Sequence, residues 1–361
     1  MCHLDAINHK NMTQLTNRQQ KILEFAASKS SIKNAELVAF FAEQNEPLSR
    51  ETAARELSAL VKVGVLEKFG KGRSLAYRMV VAHPFLKPMD YESYLAQESD
   101  KRTLAVISFK KEALEKLDEL ISQKELAVLE AKNVDYKRRV ANLPPDILKK
   151  EFERITIEFS WKSSKIEGNT YTLLDTETLI KESREAVGHP KEEAVMILNH
   201  KKALDYIFGN KQKFKAISLR DTEDIHRLLV KGLNVNFGLR EKPVGITGTN
   251  YRPLDNKYQI REALELGLEK INTAGDPWNK ALIALIAISY TQPFEDGNKR
   301  TARLLANACL LAGGVCPLSL RSTGETEYKK AMLLFYELQN ALLAKKLFLE
   351  QYDFSLANYF L

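Results

Sequence analysis

The chain has 361 residues, of which 44% are hydrophobic and 28% charged, so it can bury the cores of two or three domains. Its longest apolar stretch, Ala281 to Ile288, is far shorter than the roughly 20 residues that span a bilayer. No basic and then apolar leader opens the sequence, and we expect a soluble, cytoplasmic protein rather than a membrane protein. The three cysteines lack CxxC or Cys/His spacing, which argues against a zinc site and a disulfide framework. A net charge of +7 favours an anionic partner, either nucleic acid or nucleotide.

Apolar residues recur at helical spacing along almost the whole chain, and strand-like alternation is confined to Val65–Val80 and Val244–Arg252. This pattern predicts a mainly α fold. Two prolines interrupt the periodicity at His83–Pro88 and indicate a domain boundary. We therefore divide the chain into a domain at residues 1–82, a linker with connecting helices at 83–143, and a second domain at 144–361.

The N-terminal domain contains three candidate helices and then a hairpin, between Leu15 and Val80. Ser49 is a good N-cap for the third helix, and Gly64 can end it in a left-handed conformation. The apolar face of this helix repeats at helical spacing and consists of Ala53, Leu57, Leu60 and Val61. Val65–Phe69 and Leu75–Met79 flank a glycine-rich basic tip and predict the hairpin.

The order of these elements resembles a winged helix-turn-helix domain. The resemblance implies DNA binding, through residue types that reach phosphates and base edges. The candidate contacts lie on the exposed face of the third helix and at the hairpin tip, at Arg50, Thr52, Arg55, Ser58, Lys62, Lys71 and Arg73. The alternative is a winged helix that binds a protein or forms a dimer, with a merely solvated basic face.

A charged helical stretch follows at Lys110–Lys132. Its apolar seam consists of Leu114, Leu117, Leu120 and Ile121. We expect this seam to pack within the chain, although it could also face a partner.

Three motifs follow in the second domain. The first is Ser163–Asn169, at the end of a helix that begins near Pro144 and carries an apolar face. The second is Gly238–Pro253, where short alternation around glycines predicts a β-hairpin with an exposed edge that could bind an extended segment.

The third motif is Gln292–Arg303, a loop between a buried helix at Lys280–Tyr290 and a helix that begins near Asn298. Glycine lets a phosphate approach the backbone, and the free amides and dipole of the helix start favour an anion. Arg300 and Arg303 lie three residues apart, so that both can clamp phosphate oxygens. We predict a phosphate site.

Together the three motifs, at Pro144–Leu361, resemble the Fic family, whose members mostly transfer AMP from ATP to protein hydroxyls. The resemblance implies an all-helical core with a β-hairpin flap, ATP as substrate and Mg²⁺ held by Asp296. It also implies an unidentified target protein and, since family members often dimerise, a homodimer. It assigns ATP and phosphate binding to Gly297, Asn298, Lys299, Arg300 and Arg303, and target docking on the flap to Ile246, Thr247, Gly248, Thr249 and Asn250.

The same resemblance makes Ser163, Glu167 and Gly168 an inhibitory motif. Glu167 would pair with Arg303 and occupy the arginine that otherwise holds the γ-phosphate. Ser163, one turn earlier, would help to fix that carboxylate. Inhibition would be intramolecular, because the motif precedes the core in the same chain.

Gln292 departs from the family signature, which begins with a catalytic His. An amide is not basic near pH 7, so general-base assistance of about 10²–10⁴-fold is lost, while positioning and charge neutralisation remain. His200 and His226 lie among apolar helical neighbours and are expected to be structural. The sequence leaves open a member with weakened chemistry, a nucleotide-binding pseudoenzyme and a deliberate substitution. A rival function is a DNA-binding regulator whose Fic domain only senses nucleotide.

Overall fold

A computed structural model describes residues 16–29, 31–80 and 83–361. The chain divides into two compact units, at residues 1–102 and 103–361, and each is described by itself. The mainly helical class is confirmed, with one two-stranded sheet in the described part of the chain.

Unit 1 has the predicted order of three helices and a hairpin. Its helices and strands are α1 (Asn17–Ala27), α2 (Asn34–Glu43), α3 (Arg50–Lys62), β1 (Leu66–Phe69), β2 (Ala76–Met79) and the short α4 (Tyr91–Leu95). Ser49 caps α3, because its hydroxyl accepts a hydrogen bond from the Thr52 amide at 3.2 Å. The apolar faces of the three main helices share one core with the hairpin. The N-cap and helix predicted at this position are confirmed.

The hairpin of unit 1 is antiparallel, with Leu66 opposite Met79. Gly70 begins the turn at a φ of +78°, and a Cβ at this position would lie 2.3 Å from the Ser74 carbonyl oxygen. Only glycine therefore fits this turn. Tyr77 also exchanges two backbone hydrogen bonds of 2.8 Å with Ile32, which the sequence pattern did not predict.

Unit 2 is a helical assembly around a buried pair of helices. Its helices are α5 (Lys111–Glu115), α6 (Gln123–Asn142), α7 (Pro145–Ile166), α8 (Leu173–Glu182), α9 (Lys191–Gly209), α10 (Leu219–Val230), α11 (Lys257–Thr273), α12 (Pro277–Thr291), α13 (Asn298–Ala312), α14 (Glu325–Leu338) and α15 (Leu342–Asn358). Nearly every residue of α12 and α13 is buried, so this pair forms the core of the unit. The short loop between the two helices is thereby held on a rigid base.

The charged helical stretch expected at Lys110–Lys132 is divided between two helices in the structure. The structure has α5 and α6 with a break between them, although the predicted apolar seam is fully buried within the chain. At the break, the Ile121 amide donates to the Asn279 side chain at 2.9 Å rather than to the preceding turn of a helix. A side chain far along the chain thus satisfies a backbone amide between the two helices.

The β-hairpin expected in the flap is also wrong. Residues 244–252 contain no strand and form an extended loop with a turn at Thr247 and Gly248. The buried Arg240 guanidinium donates to the carbonyls of Lys242 and Leu254, one on each leg of the loop. Arg252 pairs its backbone with the segment at residues 107–109 instead of with the opposite leg. An arginine therefore holds the two legs where a strand ladder was predicted.

Candidate functional site

A cavity of about 480 Å³ opens in unit 2 at the loop between α12 and α13. Its walls come from the end of α7, the flap loop, the start of α13 and one face of α14. The lining residues that carry polar chemistry are Glu167, Thr247, Gln292, Glu295, Asp296, Asn298, Lys299, Arg300, Lys329 and Tyr336. The three sequence motifs, separated by many residues in the chain, thus meet at one cavity.

The start of α13 faces this cavity. Gly297 precedes the helix at a φ of +80° and has no side chain to accept hydrogen bonds from the first amides. Those amides and the helix dipole favour an anion at this end. The Asn298 side chain was expected to bind phosphate, but it binds the Phe294 backbone instead. Its Oδ1 accepts from the Phe294 amide and its Nδ2 donates to the Phe294 carbonyl, each at 2.8 Å. It shapes the loop, and only its backbone amide is left to meet a phosphate.

Phe294 anchors the loop. It is fully buried and stacks on His226, with ring centroids 3.8 Å apart. His226 Nε2 lies 3.0 Å from the Asp296 carbonyl oxygen and donates a hydrogen bond to it. Burial is the main cause that lowers the pKa of His226 to about 4, and the Arg300 cation adds to it. The ring is therefore neutral and structural, as predicted.

Arg300 and Arg303 are both almost fully buried, with 2% and 1% exposure. Arg300 Nη2 donates to Asp296 Oδ2 at 2.6 Å, and its buried Nη1 has no hydrogen-bond partner among the described residues. Arg303 packs over the Tyr328 ring at 5.0 Å and donates to Glu167 Oε1 at 2.8 Å. Buried guanidinium groups favour an anionic partner strongly, and here carboxylates of the chain provide it.

Glu167 lies between two cations. Its Oε1 accepts from Arg303 and its Oε2 lies 3.1 Å from Lys299 Nζ. Burial alone would raise the pKa of this carboxyl, but the attraction of Arg303 and Lys299 outweighs it and lowers the pKa to about 2. The carboxylate is therefore charged and clamped at neutral pH. The sequence left open where the Lys299 ammonium points, and in the structure it points toward Glu167.

Ser163 lies in the last turn of α7, before Glu167, and Gly168 directly follows Glu167 at the end of the helix. The Ser163 hydroxyl was expected to fix Glu167, but it accepts a hydrogen bond from Arg303 Nε at 2.9 Å. Ser163 thus holds the arginine rather than the carboxylate. Gly168, at a φ of +101°, turns the chain away after the helix and donates its amide to Lys165 at 3.0 Å.

Asp296 is the predicted metal ligand. Its side chain is 62% exposed beside the cavity, and its carboxylate also accepts a hydrogen bond from the Gly297 amide at 2.6 Å. No group of three or more metal-binding side chains occurs in the described ranges. One carboxylate fits Mg²⁺, which is usually held by one or two carboxylates together with substrate phosphates.

Gln292 ends α12 in a left-handed conformation, with a φ of 48°, and is 8% exposed. Its Nε2 donates to the Ser289 carbonyl at 2.7 Å, and its Oε1 accepts from Asn298 at 3.1 Å. Arg240 Nε donates to the Gln292 carbonyl at 2.7 Å. The amide is thus fixed on both sides, and neither of its polar atoms is a base.

The flap residues lie at different distances from the chemistry. Ile246 and Thr247 line the cavity, and Gly248 forms the turn at a φ of +85°. The Thr249 hydroxyl accepts from the Tyr251 amide at 3.1 Å, which stabilises the return leg, and Asn250 lies exposed on that leg. An extended backbone edge is present, but no strand.

Three contributors were missed by sequence reasoning. The roles of Arg240, His200 and Tyr328 depend on contacts with residues more than ten positions away. Arg240 lies within the Gly238–Pro253 motif, but its spacing gives no sign of the carbonyls that it holds. Nothing in the local sequence distinguished His200 from an ordinary core histidine.

The second candidate surface lies in unit 1. Arg50, Arg55, Lys62 and Lys71 are exposed, and none forms a salt bridge within the described part of the chain. Thr52 is half-buried, and its hydroxyl lies 3.1 Å from that of Ser49. Arg73 belongs to a 3-10 turn, and its side chain lies outside the described residues. These cations are available to an external anion.

A family model and several known proteins are similar to this chain. Residues 216–310 match the model of the Fic/DOC family. The chain is 25% identical over 312 residues to a protein adenylyltransferase Fic of Nematostella vectensis, covering 80% of this chain and 71% of that protein. It is 28% identical over 172 residues to a protein adenylyltransferase Fic of Drosophila erecta, covering 46% of this chain and 34% of that protein. The chain thus spans about a third of the Drosophila relative.

Solved structures show the same fold. Residues 134–508 of Fic-1 from C. elegans align with a TM-score of 0.56 at 20% identity, covering 66% of this chain and 70% of that one. A Fic domain containing signaling protein from Bacteroides thetaiotaomicron aligns with a TM-score of 0.53 at 20% identity, covering 64% and 92%. None of the described helices is both long and apolar enough to cross a membrane.

Proposed function

We propose that this chain, which carries a Fic/DOC domain, binds ATP with Mg²⁺ and transfers AMP to a Ser, Thr or Tyr hydroxyl of a target protein. The observation that carries the proposal is the uncapped start of α13 beside two buried arginines, at a cavity of about 480 Å³. The relatives named protein adenylyltransferase support it.

In this proposal the phosphates of ATP lie on the amides at the start of α13. Arg300 and Arg303 clamp phosphate oxygens, and Lys299 and Lys329 add positive charge. Asp296 holds Mg²⁺, which neutralises developing charge on the phosphates when bound. The flap loop at residues 246–250 docks an extended target segment through its backbone edge.

Glu167 inhibits this reaction from within the chain. Its ion pairs with Arg303 and Lys299 occupy the cations that a triphosphate needs. A carboxylate with a pKa of about 2 stays charged at any physiological pH, so protonation does not release the contact. Release requires displacement of Glu167 by a competing interaction or a movement of α7.

Gln292 weakens the chemical step. The target oxygen forms a bond to the α-phosphorus, the bond to the β-phosphate oxygen breaks, and pyrophosphate leaves. The hydroxyl proton must then pass to solvent or substrate phosphate, because the amide of Gln292 cannot accept it at neutral pH. We expect slow transfer by positioning and charge neutralisation alone.

Transfer of labelled AMP from ATP, to the chain itself and to lysate proteins, tests the proposal. The variants are the chain as it stands, Glu167→Gly, and Glu167→Gly with Gln292→His. We expect rising transfer along this series, with a gain of about 10²–10⁴-fold at the last step. Arg300→Met in the last variant is the matched control and should abolish transfer. If the last variant binds ATP but labels nothing, the transferase proposal is wrong.

A second candidate function is favoured by the exposed basic side chains of α3 and of Lys71 at the hairpin tip, which form no salt bridge among the described residues. We propose that unit 1 binds DNA and that the Fic domain of a catalytically inactive protein acts as a nucleotide sensor. Mobility shifts on random duplex, with and without ATP, test this function. The function is supported if the affinity for DNA changes with ATP while the Glu167→Gly variant transfers no AMP. It is contradicted if the chain does not bind DNA even at low salt.

A further inference from the structure

A chain of hydrogen bonds connects a buried histidine to Arg303, the arginine that binds Glu167 beside the cavity. His200, in α9, is completely buried. Its Nδ1 lies 2.9 Å from the Met196 carbonyl oxygen and 3.3 Å from Ser164 Oγ, and its Nε2 lies 2.9 Å from Ser163 Oγ. Because a carbonyl oxygen can only accept, Nδ1 carries the proton. In the neutral ring Nε2 is then an acceptor, and the Ser163 hydroxyl donates to it.

Because the Ser163 hydroxyl donates its proton to His200, it can only accept a hydrogen bond from Arg303. With the hydroxyl proton directed to His200, the lone pairs of Ser163 Oγ are left for Arg303 Nε, which lies 2.9 Å away. Arg303 Nη2 donates in addition to the Ser163 carbonyl oxygen at 3.0 Å. The guanidinium therefore keeps two hydrogen bonds to Ser163 that do not involve Glu167.

The neutral state of the imidazole is maintained by its surroundings. Burial, first, and then the Arg300 and Arg303 cations lower the pKa of His200 to about 3. A protonated ring would direct an N–H at Ser163 Oγ and displace the hydroxyl proton that now points to Nε2. The network requires the neutral form.

We propose that His200 is a positioning residue that acts through Ser163 to hold the Arg303 guanidinium in the orientation that receives the terminal phosphates of the nucleotide. The inference rests on the proposed nucleotide function. When Glu167 leaves, Arg303 keeps its orientation, because Ser163 and His200 still hold it. Helix α7 then has two roles, since it supplies both the inhibitory carboxylate and the support of the arginine.

The test uses the full chain with Glu167→Gly, in which the arginine is freed from the carboxylate. His200→Leu removes the acceptor, whereas His200→Gln retains an acceptor oxygen near the position of Nε2. Ser163→Ala removes the hydroxyl, and Ser164→Ala is the matched control, because this neighbouring serine does not contact Arg303. Binding of ATP and of AMP is measured for each variant by calorimetry.

We expect His200→Leu and Ser163→Ala to weaken ATP binding about tenfold, while AMP binding changes less than about twofold. His200→Gln and Ser164→Ala should stay close to the parent for both ligands. Equal weakening of ATP and AMP would indicate a merely structural role and overturn the proposal, as would unchanged ATP binding in both His200→Leu and Ser163→Ala.

A second measurement does not depend on nucleotide. The Nε–H signal of Arg303, assigned by its loss in Arg303→Lys, is followed by NMR of protein labelled at arginine. Slow hydrogen exchange in the parent that becomes fast in His200→Leu supports positioning, and unchanged exchange contradicts it. If the parent binds neither ATP nor AMP, the nucleotide function has failed, and this signal alone decides whether His200 positions the arginine.

Discussion

Two cationic regions of the molecule differ in how they keep their charge. At the start of α13 the arginines are buried and paired with Asp296 and Glu167. In unit 1, the basic side chains of α3 and of Lys71 at the hairpin tip are exposed and form no salt bridge within the described residues. A buried cation needs an anion at all times, whereas an exposed cation is solvated and gains little from one.

The difference has a functional consequence. In the proposed reaction, a nucleotide phosphate has to replace the carboxylate that already satisfies the arginine, so nucleotide binding and the proposed inhibition compete for the same donors. On α3, an external phosphate displaces only water and counterions. The cavity is therefore suited to regulation, and the α3 surface to salt-dependent association.

Removing the internal anion should produce the largest effect. We expect Glu167→Ala to lower the free energy of unfolding by about 3 kcal/mol, because Arg303 is left buried without its carboxylate. Excess pyrophosphate should restore part of this loss by binding only the folded state. Chemical denaturation with and without pyrophosphate measures both effects.

Glu193→Ala is a control in unit 2, since it removes a carboxylate that contacts no arginine of the cavity. Its stability should not respond to pyrophosphate. An equal response of both variants would show that pyrophosphate does not bind at Arg303.

The buried histidines predict the next effect. His200 and His226 have pKa values lowered by burial to about 3 and about 4, against 6.5 for an exposed ring. The unfolded chain therefore binds more protons than the folded chain below pH 6.5, and stability falls as the pH falls. Between pH 6 and pH 5 we expect a loss of about 2 kcal/mol from the two rings. Glu167, whose pKa lies below this range in both the unfolded and the folded state, adds only a small part of that loss.

Denaturant titrations at pH 6 and pH 5 measure this loss, and His200→Gln provides the control. That variant lacks one of the two titrating rings, so its loss should be about half as large. If His200→Gln loses as much stability between pH 6 and pH 5 as the unchanged chain, the histidine rings are not the source of the loss.

Local chemistry made part of this molecule predictable from sequence. The cap at Ser49, the stop at Gly64 and the glycine before α13 depend on single residues and their immediate neighbours. The apolar periodicity of α12 likewise predicts a buried helix without knowledge of its partner. These features are confirmed because local energies decide them.

The departures from the predicted pattern share one feature, which is a polar side chain that binds backbone groups outside the regular pattern. Asn279 accepts a hydrogen bond from the amide of Ile121, in the segment that separates α5 from α6. Arg240 takes carbonyls from both legs of the flap and replaces a predicted strand ladder. The link from Ser163 to Arg303 spans 140 positions, and no periodicity reports it. Such contacts depend on the tertiary fold, so the sequence pattern cannot reveal them.

A cap in unit 1 should have a smaller effect. We expect Ser49→Ala to lower the stability of α3 by about 1 kcal/mol, because the Thr52 amide loses its acceptor. Hydrogen exchange of the α3 amides measures the opening free energy of this helix directly. Ser58→Ala, at an exposed position of the same helix, should leave it nearly unchanged. Equal protection in both variants would contradict the capping role.

The smallest effect on stability, and the sharpest contrast with Arg303, is expected for Arg55. Because Arg55 is exposed and unpaired among the described residues, Arg55→Ala should change the free energy of unfolding by less than about 0.5 kcal/mol. If α3 contacts DNA, the same change should reduce the slope of log affinity against log salt by about 0.9, the value of one lost phosphate contact. Arg18→Ala is the matched control, since Arg18 in α1 lies 3.7 Å from Glu56. If the slope of log affinity against log salt falls equally in both variants, the DNA contacts lie outside α3. A large loss of stability in Arg55→Ala would show that the charge of Arg55 is not free.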